Sequence, residues 1–372
     1  MKEVSENNIC LLSVSASHYR YAIYKEIQQL GCDFILGVNR STVKRMDTSL
    51  IGGNVLDVRN KYLGKTNIYY QVGVIKKTRK YKIIINDLGI LSITAWFLLI
   101  IARFRGQRVY NWDHGYYGKE GRLKKLLKSI YFGLAEGALL YGNYARDLMI
   151  KEGFDGRKLH VIHNSLNYEA HVSLREQIKE TPIYSQHFNN TDPNLIFVGR
   201  LTSVKKLDMI LEAMALNKEK GRNYNLTLIG GGEVQELLEK NTNRLGLKDN
   251  VWFYGPCYDE KVLSELIYNA DLCVSPGNVG LTAIHSLVFG TPVLTHNNFT
   301  LQMPEFESVK EGVTGTFFEH NNVRSLSEAI DIWFDSHKDD REFVRERCYA
   351  EIDESWTPQY QNNVIKKAIG NV

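Results

Sequence analysis

Two cationic side chains follow a predicted strand near the middle of the chain. The segment 197–208 reads FVGRLTSVKKLD: an apolar strand ends at Gly199, and a turn with Arg200 and Lys205 leads into an amphipathic helix. A helix N-terminus offers free backbone N–H groups and the positive end of the helix dipole, which together attract phosphate. With two cations beside it, this turn is predicted to hold a diphosphate. An ordinary solvated basic turn is the alternative.

A glycine-rich turn and a longer strand-to-helix segment come next. The turn at residues 228–233, LIGGGE, lets a ligand approach the backbone closely, but it lacks the G-x-G-x-x-G pattern of dinucleotide-binding proteins. The segment 275–293 reads SPGNVGLTAIHSLVFGTPV and predicts a helix that begins near Gly280. His285 lies one or two turns inside that helix, where a core histidine is the alternative interpretation.

Two further groups of polar residues follow predicted strands in the first half. Asp113 and His114 close the segment RVYNWDH and lie at the carboxyl end of its strand, where open α/β sheets bind ligands. His18, Tyr19 and Arg20 follow the first predicted strand. Aromatic faces suit sugar rings, and a guanidinium suits an anion, so this loop is predicted to contact substrate.

Twelve short apolar runs alternate with stretches of helical periodicity. They are residues 9–14, 34–38, 82–86, 109–112, 138–141 and 159–164, and then 195–198, 226–229, 251–254, 272–275, 292–295 and 316–318. Strands that are apolar on both faces and alternate with helices form parallel sheets covered by helices. The sequence therefore predicts an α/β protein with two doubly wound parallel-sheet domains.

A polar stretch, residues 168–194, separates the two predicted domains. It contains Thr-Pro, Asn-Asn-Thr and Asp-Pro and carries little helix or strand signal, so we predict a linker there. The expected domains are 1–178 and 179–356. A last helical stretch, 357–372, is expected to return to the first domain.

The composition is that of a globular protein with more than one domain. The 372 residues are 44% apolar and 24% charged, which argues against disorder, collagen and a polytopic membrane protein. Five widely spaced cysteines without a C-x-x-C pair fit no disulfide framework and predict a reducing compartment. The polar N-terminus shows no secretory signal, so a cytoplasmic location is expected.

The charge is divided unevenly along the chain. Residues 1–178 carry 27 Lys and Arg against 15 Asp and Glu, whereas residues 179–372 carry 19 against 27. Residues 119–134, KEGRLKKLLKSIYFGL, alternate cations with apolar residues at helical spacing, as in helices that lie on membranes. Together with the basic stretch 76–82 they predict contact with an anionic membrane, at its inner face. A core-packing helix with a solvated basic face is the alternative, and no motif predicts a nucleic-acid partner.

Five segments of the second half resemble the retaining GT-B glycosyltransferases (family 4-like, glycosyl transferases group 1), which include glycogen synthases and mannosyltransferases. In the order and spacing of that family they are GRL at 199–201 with Lys205, IGGGE at 229–233, FYG at 253–255, ADLCVSP at 270–276 and GTPV at 290–293. The likeness is strong from residue 194 to about 320 and looser in the first half. It implies two Rossmann-like domains that face each other across a cleft. The second would hold a nucleotide-diphosphate sugar donor, and the first a glycan or lipid-linked acceptor.

The resemblance assigns roles to residues by position. Arg200 and Lys205 resemble the family's pair on the donor diphosphate, and His114 matches the histidine that touches the donor sugar. The other residues expected at the donor are Gly199, Gly231, Gly255, Pro256, Asn278, Gly280, Leu281 and His285, with Gly255 and Pro256 in the loop that meets the base. Asp113 is expected to partner an acceptor hydroxyl, and the acceptor-side residues are His18, Tyr19 and Arg20.

One departure from the family affects the donor site. The family has two glutamates eight residues apart, one beside the donor sugar and one on the ribose, and these positions hold Gly277 and His285 here. His285 can still hydrogen-bond a ribose hydroxyl, whereas Gly277 has no side chain. The stretch after GTPV is four residues longer than usual and brings Glu305 and Glu307 to the cleft edge. We expect one of them to replace the missing carboxylate.

The sequence contains no Asp-x-Asp pair and no His/Cys cluster with metal-ligand spacing, so neither a metal nor another cofactor is expected. The charge of the leaving diphosphate would then be met by side chains and a helix N-terminus. The resemblance predicts a hexosyltransferase of surface polysaccharide or lipopolysaccharide synthesis. A nucleotide-sugar epimerase or hydrolase and a non-catalytic GT-B partner protein are the alternatives.

Overall fold

The computed structural model describes residues 8–38, 45–337 and 340–370. The chain divides into two units: the first ends at Asn167 and resumes at Thr357, and the second runs from Tyr168 to Trp356. Each unit is built around a parallel sheet, as the alternating apolar runs predict.

The first unit contains a seven-stranded parallel sheet of order β3-β2-β1-β6-β7-β8-β9 and a separate antiparallel pair, β4 with β5. Its strands are β1 Ile9–Ser13, β2 Cys32–Gly37, β3 Val55–Val58, β4 Asn60–Tyr62, β5 Tyr69–Gln71, β6 Ile83–Asp87, β7 Arg108–Asp113, β8 Gly137–Leu140 and β9 Leu159–Val161. Its helices are α1 Tyr21–Gln28, α2 Val74–Lys77, α3 Ile93–Phe104, α4 Arg122–Gly133 and α5 Asn143–Lys151.

The second unit contains a six-stranded parallel sheet of order β12-β11-β10-β13-β14-β15. Its helices include α6 Tyr168–Arg175 and α7 Ile183–Phe188, which precede the first strand of this sheet, β10 Asn194–Val198. The remaining elements are α8 Asp208–Glu219, β11 Asn225–Ile229, α9 Gln235–Arg244, β12 Val251–Gly255, α10 Glu260–Asn269, β13 Leu272–Ser275, α11 Leu281–Val288, β14 Val293–His296, β15 Gly315–Phe318, α12 Val323–Ser336 and α13 Arg341–Ser355. The last helix of the chain is α14 Pro358–Ile369.

The first sheet is covered on both faces because its strands are apolar on both faces. Alternate residues of β1 enter different cores: Ile9 and Leu11 pack on one side, and Cys10 and Leu12 on the other. Helices α2 to α5 cover the second of these faces, and α1 and α14 cover the first. Parallel sheets require such two-sided cover, since neither face carries a polar row.

Three segments differ from the sequence expectations. Strand β3 and the β4–β5 pair were not predicted, because β3 is a half-exposed edge strand without a continuous apolar run. The predicted linker 168–194 contains helices α6 and α7. Each buries one or two aromatic rings, such as Tyr184 and Phe188, too few to produce a clear helical period in the sequence. The first unit accordingly ends at Asn167 rather than at residue 178.

The C-terminal helix α14 packs on the first unit. Ile365 and Ile369 enter the core that α1 covers, and the Tyr110 hydroxyl donates to the carbonyl of Ala368 (2.9 Å). The Gln361 side chain donates to the carbonyl of His163 (2.8 Å). These contacts connect residues that are far apart in sequence. Among the helices of the described ranges, none is both long and apolar enough to cross a bilayer.

We predict that Ile365→Ala lowers the free energy of unfolding of the full chain by about 2–5 kcal/mol, because Ile365 is fully buried in the first unit's core. Urea denaturation followed by circular dichroism measures this loss. Lys366→Ala, at the exposed neighbouring position of α14, is the matched control and should change stability by less than about 0.5 kcal/mol. Equal effects of the two substitutions would show that α14 contributes no core packing.

Candidate functional site

The turn after β10 is shaped by glycines. Gly199 has a φ of 152°, and its N–H donates to the carbonyl of Ile229 (2.9 Å). The N–H of Leu201 donates to the carbonyl of Gly231 (3.1 Å), and a Cβ on Gly232 would lie 2.1 Å from the carbonyl oxygen of Leu201. A Cβ on Gly230 would lie 1.9 Å from the carbonyl oxygen of Gly199, so the glycines at 230 and 232 let the turns after β10 and β11 lie against each other.

The turns after β11 and β12 are in contact as well. The N–H of Gly230 donates to the carbonyl of Gly255 (2.9 Å), and a Cβ on Gly231 would lie 3.2 Å from the Pro256 ring. Gly255 has a φ of 87°, a left-handed conformation that favours glycine. Gly199, Gly231, Gly255 and Pro256, all expected at the donor, thus lie together at the carboxyl ends of β10, β11 and β12.

Lys205 is a partly buried cation near the exposed Arg200. Its ammonium donates to the backbone oxygen (2.6 Å) and to the side-chain oxygen (2.9 Å) of Asn278, which follows β13. The pKa of Lys205 is lowered to about 8, mainly because burial disfavours the charged ammonium; the carboxylate of Glu305 opposes this lowering, and the charge of Arg200 adds to it. The structure therefore places both cations that are predicted to bind the diphosphate in one turn. Hydrogen bonds to Asn278 fix the position of one of them, Lys205.

Gly277 occupies the position of the family's first glutamate, and its surroundings explain the departure. A Cβ there would lie 2.1 Å from the carbonyl oxygen of Val204 and 2.7 Å from the Cα of Lys205. The N–H of Gly277 donates to the carbonyl of Lys205 (3.0 Å). The Lys205 turn lies directly against the backbone at 277, so no glutamate fits there without moving that turn.

Glu305 supplies a carboxylate near Lys205 instead. It is 2% exposed and lies on a short 3-10 helix after β14. The preceding segment is attached to the start of α11, because the side-chain oxygen of Gln302 accepts from the N–H of Val279 (2.9 Å). Glu307 is half-buried, and its backbone oxygen accepts from Lys310 (2.7 Å). Of the two expected glutamates, Glu305 is the one whose charge acts on Lys205.

The start of α11 completes this group of residues. Gly280 precedes the helix with a φ of 55° and a ψ of −153°, a conformation that is open to glycine but costly for other residues. Leu281 begins the helix, and the hydroxyl of Thr282 donates to the carbonyl of Val198 (3.0 Å), which holds the helix start against β10. The first N–H groups of α11 have no acceptor within the helix and are available to an anion.

His285 makes a contact that the sequence did not reveal. Its Nε2 lies 3.1 Å from Oε2 of Glu260, and the same oxygen lies 3.4 Å from Nε2 of His171. We expected His285 itself to meet the ribose, but its Nε2 is turned to Glu260, at the start of α10. Burial acts to raise the pKa of Glu260, yet hydrogen bonds from both histidines outweigh it and hold this pKa well below the usual range. A carboxylate thus lies beside the position of the family's second glutamate.

The same three residues are a candidate metal group. The ligand atoms of His171, Glu260 and His285 all lie within 4.8 Å of one another, and zinc accepts imidazole and carboxylate ligands. However, Nδ1 of His171 is buried without a hydrogen-bond partner, whereas a metal-bound histidine almost always donates its second N–H. Hydrogen bonding to Glu260 is therefore the better account of this group.

In the first unit, His114 and Asp113 lie at the end of β7. Burial lowers the pKa of His114 to about 4, with a further lowering from Arg20 and Lys128, so the ring is neutral at pH 7. Its Nδ1 is buried without a hydrogen-bond partner, which leaves one polar atom for a ligand. Burial raises the pKa of Asp113 to about 6 against the opposing charge of Lys128, and its carboxylate accepts from the N–H of Gly115 (3.0 Å).

Arg20 is not the free cation that the sequence suggested. Its guanidinium forms an ion pair with Asp87 and donates to the Tyr141 hydroxyl (2.5 Å). Asp87 neutralises the charge that was expected to meet an anionic acceptor. Of the other two acceptor-side residues, His18 is exposed and Tyr19 is half-buried.

Three functional contacts were missed because their partners are distant in sequence. Asp87 ends β6, and its polar position after an apolar strand was the available signal. Gln302 lies in the longer stretch after GTPV, where the sequence predicts a role only for Glu305 and Glu307. Glu260 had no local signal, since its two histidine partners come from α6 and α11.

These sheets and turns define the class of protein, a GT-B fold. The structure matches a crystal structure of a glycosyltransferase from Rickettsia africae with a TM-score of 0.72, over 99% of this chain and 100% of that one, at 17% identity. It matches Anabaena HepE, solved in complex with UDP, with a TM-score of 0.71 over 97% and 99%, at 16% identity. At such low identity the likeness shows the fold, and the predicted α/β GT-B fold is confirmed.

The sequence of the second unit matches a known protein family. Residues 179–347 match the family Glycosyl transferases group 1, so the predicted resemblance is confirmed there. An uncharacterized glycosyltransferase of Methanocaldococcus jannaschii is 28% identical over 178 residues, which are 47% of this chain and 44% of the relative. An uncharacterized protein of the Klebsiella pneumoniae cps region is 24% identical over 209 residues, 54% of each chain. The chain thus spans about half the length of these curated relatives.

The lowered pKa of Lys205 predicts a pH-dependent affinity for inorganic pyrophosphate. Below pH 8 the ammonium is charged and attracts the anion; at pH 9, one unit above a pKa of about 8, roughly nine-tenths of it is neutral in the free protein. Affinity measured by calorimetry should therefore fall up to about tenfold from pH 7 to 9, relative to Lys205→Arg, whose side chain stays charged. A parallel pH profile in the two proteins would contradict this assignment.

Proposed function

We propose that the protein is a glycosyltransferase that moves a sugar from a nucleotide-diphosphate sugar to a glycan or lipid-linked acceptor, with retention of configuration. The observation that carries the proposal is the candidate anion site of the second unit: the partly buried Lys205 fixed on Asn278, the exposed Arg200, and the start of α11. This site lies within the residues that match the glycosyltransferase family.

In this proposal the donor diphosphate binds Arg200, Lys205 and the free N–H groups at the start of α11. A guanidinium and an ammonium supply charge and hydrogen bonds to phosphate oxygens, and the helix dipole adds to them. We propose UDP as the nucleotide, since structures of the same fold contain UDP or UDP-glucose. A relative of known donor uses GDP-mannose, which makes GDP the main comparison.

The base and the ribose take neighbouring positions. The contacting turns at Gly231 and Gly255–Pro256 are proposed to accept the base along their exposed backbone. The ribose hydroxyls are assigned to Glu260, whose side chain is 50% exposed while two histidines orient it. His285 then acts by positioning this carboxylate, which replaces the glutamate that the family has at residue 285.

In the second unit, the transferred sugar is assigned to Glu305. Glu305 lies near Lys205 and takes the place of the carboxylate for which Gly277 leaves no room. His114 is neutral at pH 7, so it offers a hydrogen bond rather than a charge to a sugar hydroxyl. Asp113, His18 and Tyr19 remain the proposed acceptor-side contacts.

The proposed reaction needs no covalent enzyme intermediate. The bond between the anomeric carbon and the diphosphate oxygen breaks, and its electron pair stays on the diphosphate. The acceptor hydroxyl oxygen bonds to the same carbon on the same face, and its proton passes to the leaving diphosphate oxygen. Arg200, Lys205 and the α11 N-terminus stabilise the charge that develops on that leaving group, and the chain's own cations do this work.

We predict that Arg200→Ala and Lys205→Ala each reduce the turnover number about 10²–10³-fold, the scale found for a fixed group that stabilises developing charge. Release of nucleoside diphosphate from donor plus acceptor measures the rate. Lys240→Ala, an exposed cation on α9 of the same unit, is the control and should have the normal rate. Normal turnover in both site variants would remove their role.

The same assay separates the proposal from its alternatives and from metal dependence. Equal release of diphosphate without acceptor would indicate a hydrolase, and conversion of the donor to an epimeric nucleotide sugar without acceptor would indicate an epimerase. Neither change with any donor and acceptor would indicate a non-catalytic partner. Thermal shifts with UDP, GDP, dTDP and CMP identify the nucleotide, because a ligand of the folded state raises the melting temperature. Loss of activity in EDTA would contradict leaving-group stabilisation by side chains alone.

The two proposed carboxylates should give different kinetic signatures. Glu305→Gln is expected to lower the turnover number about 10²-fold or more while UDP affinity changes little, because this residue is assigned to the sugar. Glu260→Gln is expected to weaken UDP binding itself by about tenfold, since a hydrogen bond to a charged group contributes about 1.5–3 kcal/mol. Calorimetry with UDP and steady-state kinetics distinguish them. Identical signatures in the two variants would refute the division of roles.

A polysaccharide or lipopolysaccharide pathway is the proposed context. Fold neighbours include the lipopolysaccharide outer core galactosyltransferase WaaB, with a TM-score of 0.70 over 97% of this chain and 98% of that one, at 12% identity. The relative from the Klebsiella cps region supports the same context. Screening acceptors from surface-glycan synthesis against the identified donor tests it.

A further inference from the structure

Helix α4 exposes its aliphatic residues, which a surface helix ordinarily packs against the core. Its four aliphatic residues, Leu123, Leu126, Leu127 and Ile130, are 42% to 71% exposed, at the i, i+3, i+4, i+7 spacing of a single stripe. Its lysine at 128 is instead 5% exposed and pairs with Glu120 (2.8 Å). The helix packs Lys128, Tyr131 and Phe132 inward and its aliphatic stripe outward, so that no residue the structure describes covers this hydrophobic surface.

Helix α3 adds a second apolar stripe beside the first. Phe97, Ile100 and Phe104 are 45% to 86% exposed and follow the helical repeat. The two helices are neighbours: the Trp96 ring contacts the Tyr131 ring at 5.2 Å, and Arg103 donates to the carbonyl of Gly133 (2.9 Å). The exposed residues that form this α3–α4 face are Phe97, Ile100, Phe104, Leu123, Leu126, Leu127 and Ile130.

Cations surround the α3–α4 face. Residues 74–134 carry thirteen Lys and Arg against three Asp and Glu. Among the residues that the structure describes, Arg122 and Lys124 of α4 are exposed and form no ion pair. Glu120 is already paired with Lys128, and Arg105 connects α3 to the basic helix α2 through the carbonyl of Ile75 (3.0 Å).

We propose that the α3–α4 face docks on the surface of an anionic lipid bilayer. Helices with an apolar stripe flanked by Lys and Arg lie in the membrane interface, with the stripe among the acyl chains and the cations on anionic headgroups. A second copy of the chain fits this face less well, because two copies would bring the same cations against each other. Apolar residues in contiguous patches of this kind mark interaction sites.

Vesicle co-sedimentation of the full chain tests the docking, without donor or acceptor. We expect binding to phosphatidylglycerol vesicles at least tenfold tighter than to phosphatidylcholine vesicles, and weaker binding at high salt, because salt screens the headgroup attraction. No binding to phosphatidylglycerol vesicles overturns the proposal. Since no sugar is transferred in this assay, that failure would leave the proposed glycosyltransferase activity standing.

Substitutions on the face separate its apolar and cationic parts. Leu123→Gln, Leu126→Gln and Ile130→Gln together should weaken vesicle binding at least tenfold, whereas Leu237→Gln, an equally exposed leucine on α9 of the second unit, should not. Arg122→Glu with Lys124→Glu should abolish the preference for anionic vesicles, and Lys240→Glu is its control. Each altered side chain is exposed, so the melting temperature should stay within a few degrees.

Self-association is the competing outcome, and sedimentation velocity of lipid-free protein measures it. A monomer whose mass is unchanged by the leucine substitutions supports a lipid partner. A dimer that these substitutions dissociate, combined with equal vesicle binding by the parent and the variants, overturns the proposal and assigns the face to a protein contact.

Discussion

The proposed donor site of the second unit depends on one constraint, the close approach of the Lys205 turn to the backbone at Gly277. That approach leaves no space for a side chain at 277 and puts the Lys205 ammonium on Asn278. Under this cover the ammonium loses solvation, which lowers its pKa to about 8, and the nearby Glu305 carboxylate limits the shift. A cation kept poorly solvated and fixed in place is well suited to bind a diphosphate, since little has to reorganise when the anion arrives.

In the proposed donor site, carboxylates from other elements take the place of the two family glutamates. Glu305 approaches from the longer segment after β14, and Glu260 approaches from the start of α10. Both come from other elements than the segment 277–285, where the resemblance places the family's two glutamates. A carboxylate from another residue can take over the same role, because a bound ligand responds to the position of the carboxylate oxygens. The place of that residue in the sequence does not matter to the ligand.

In the first unit, the cations near the end of β7 are paired with carboxylates. Asp87 pairs with Arg20 and Glu120 pairs with Lys128, so cations near the end of β7 are neutralised inside the fold. Arg122 and Lys124, which form no ion pair with any residue that the structure describes, lie on the exposed side of α4 beside apolar residues. The net positive charge of the first half is thus mainly a property of its surface, in keeping with a partner of opposite charge.

How much could be predicted depends on the range of the interactions involved. The twelve apolar runs gave strands in both sheets because a strand buried on two faces needs an unbroken apolar segment, and that requirement is local. The edge strand β3 and the helices α6 and α7 were not predicted, because each is only partly buried and its pattern of apolar residues is correspondingly weak. Arg200, Lys205 and the start of α11 were found for the same local reason: a strand, a turn and a helix N-terminus are adjacent in the chain.

The sequence by itself determined the two parallel sheets, the turns at their carboxyl ends and the cations within those turns. Tertiary structure alone decided which carboxylate stands beside Lys205, that His285 turns to Glu260, that Arg20 is neutralised, and that α4 points its leucines outward. These outcomes depend on distances between elements far apart in the chain and on which face of a helix its neighbours cover. Periodicity reveals that a helix has an apolar stripe, but only packing determines whether that stripe faces the core or remains uncovered.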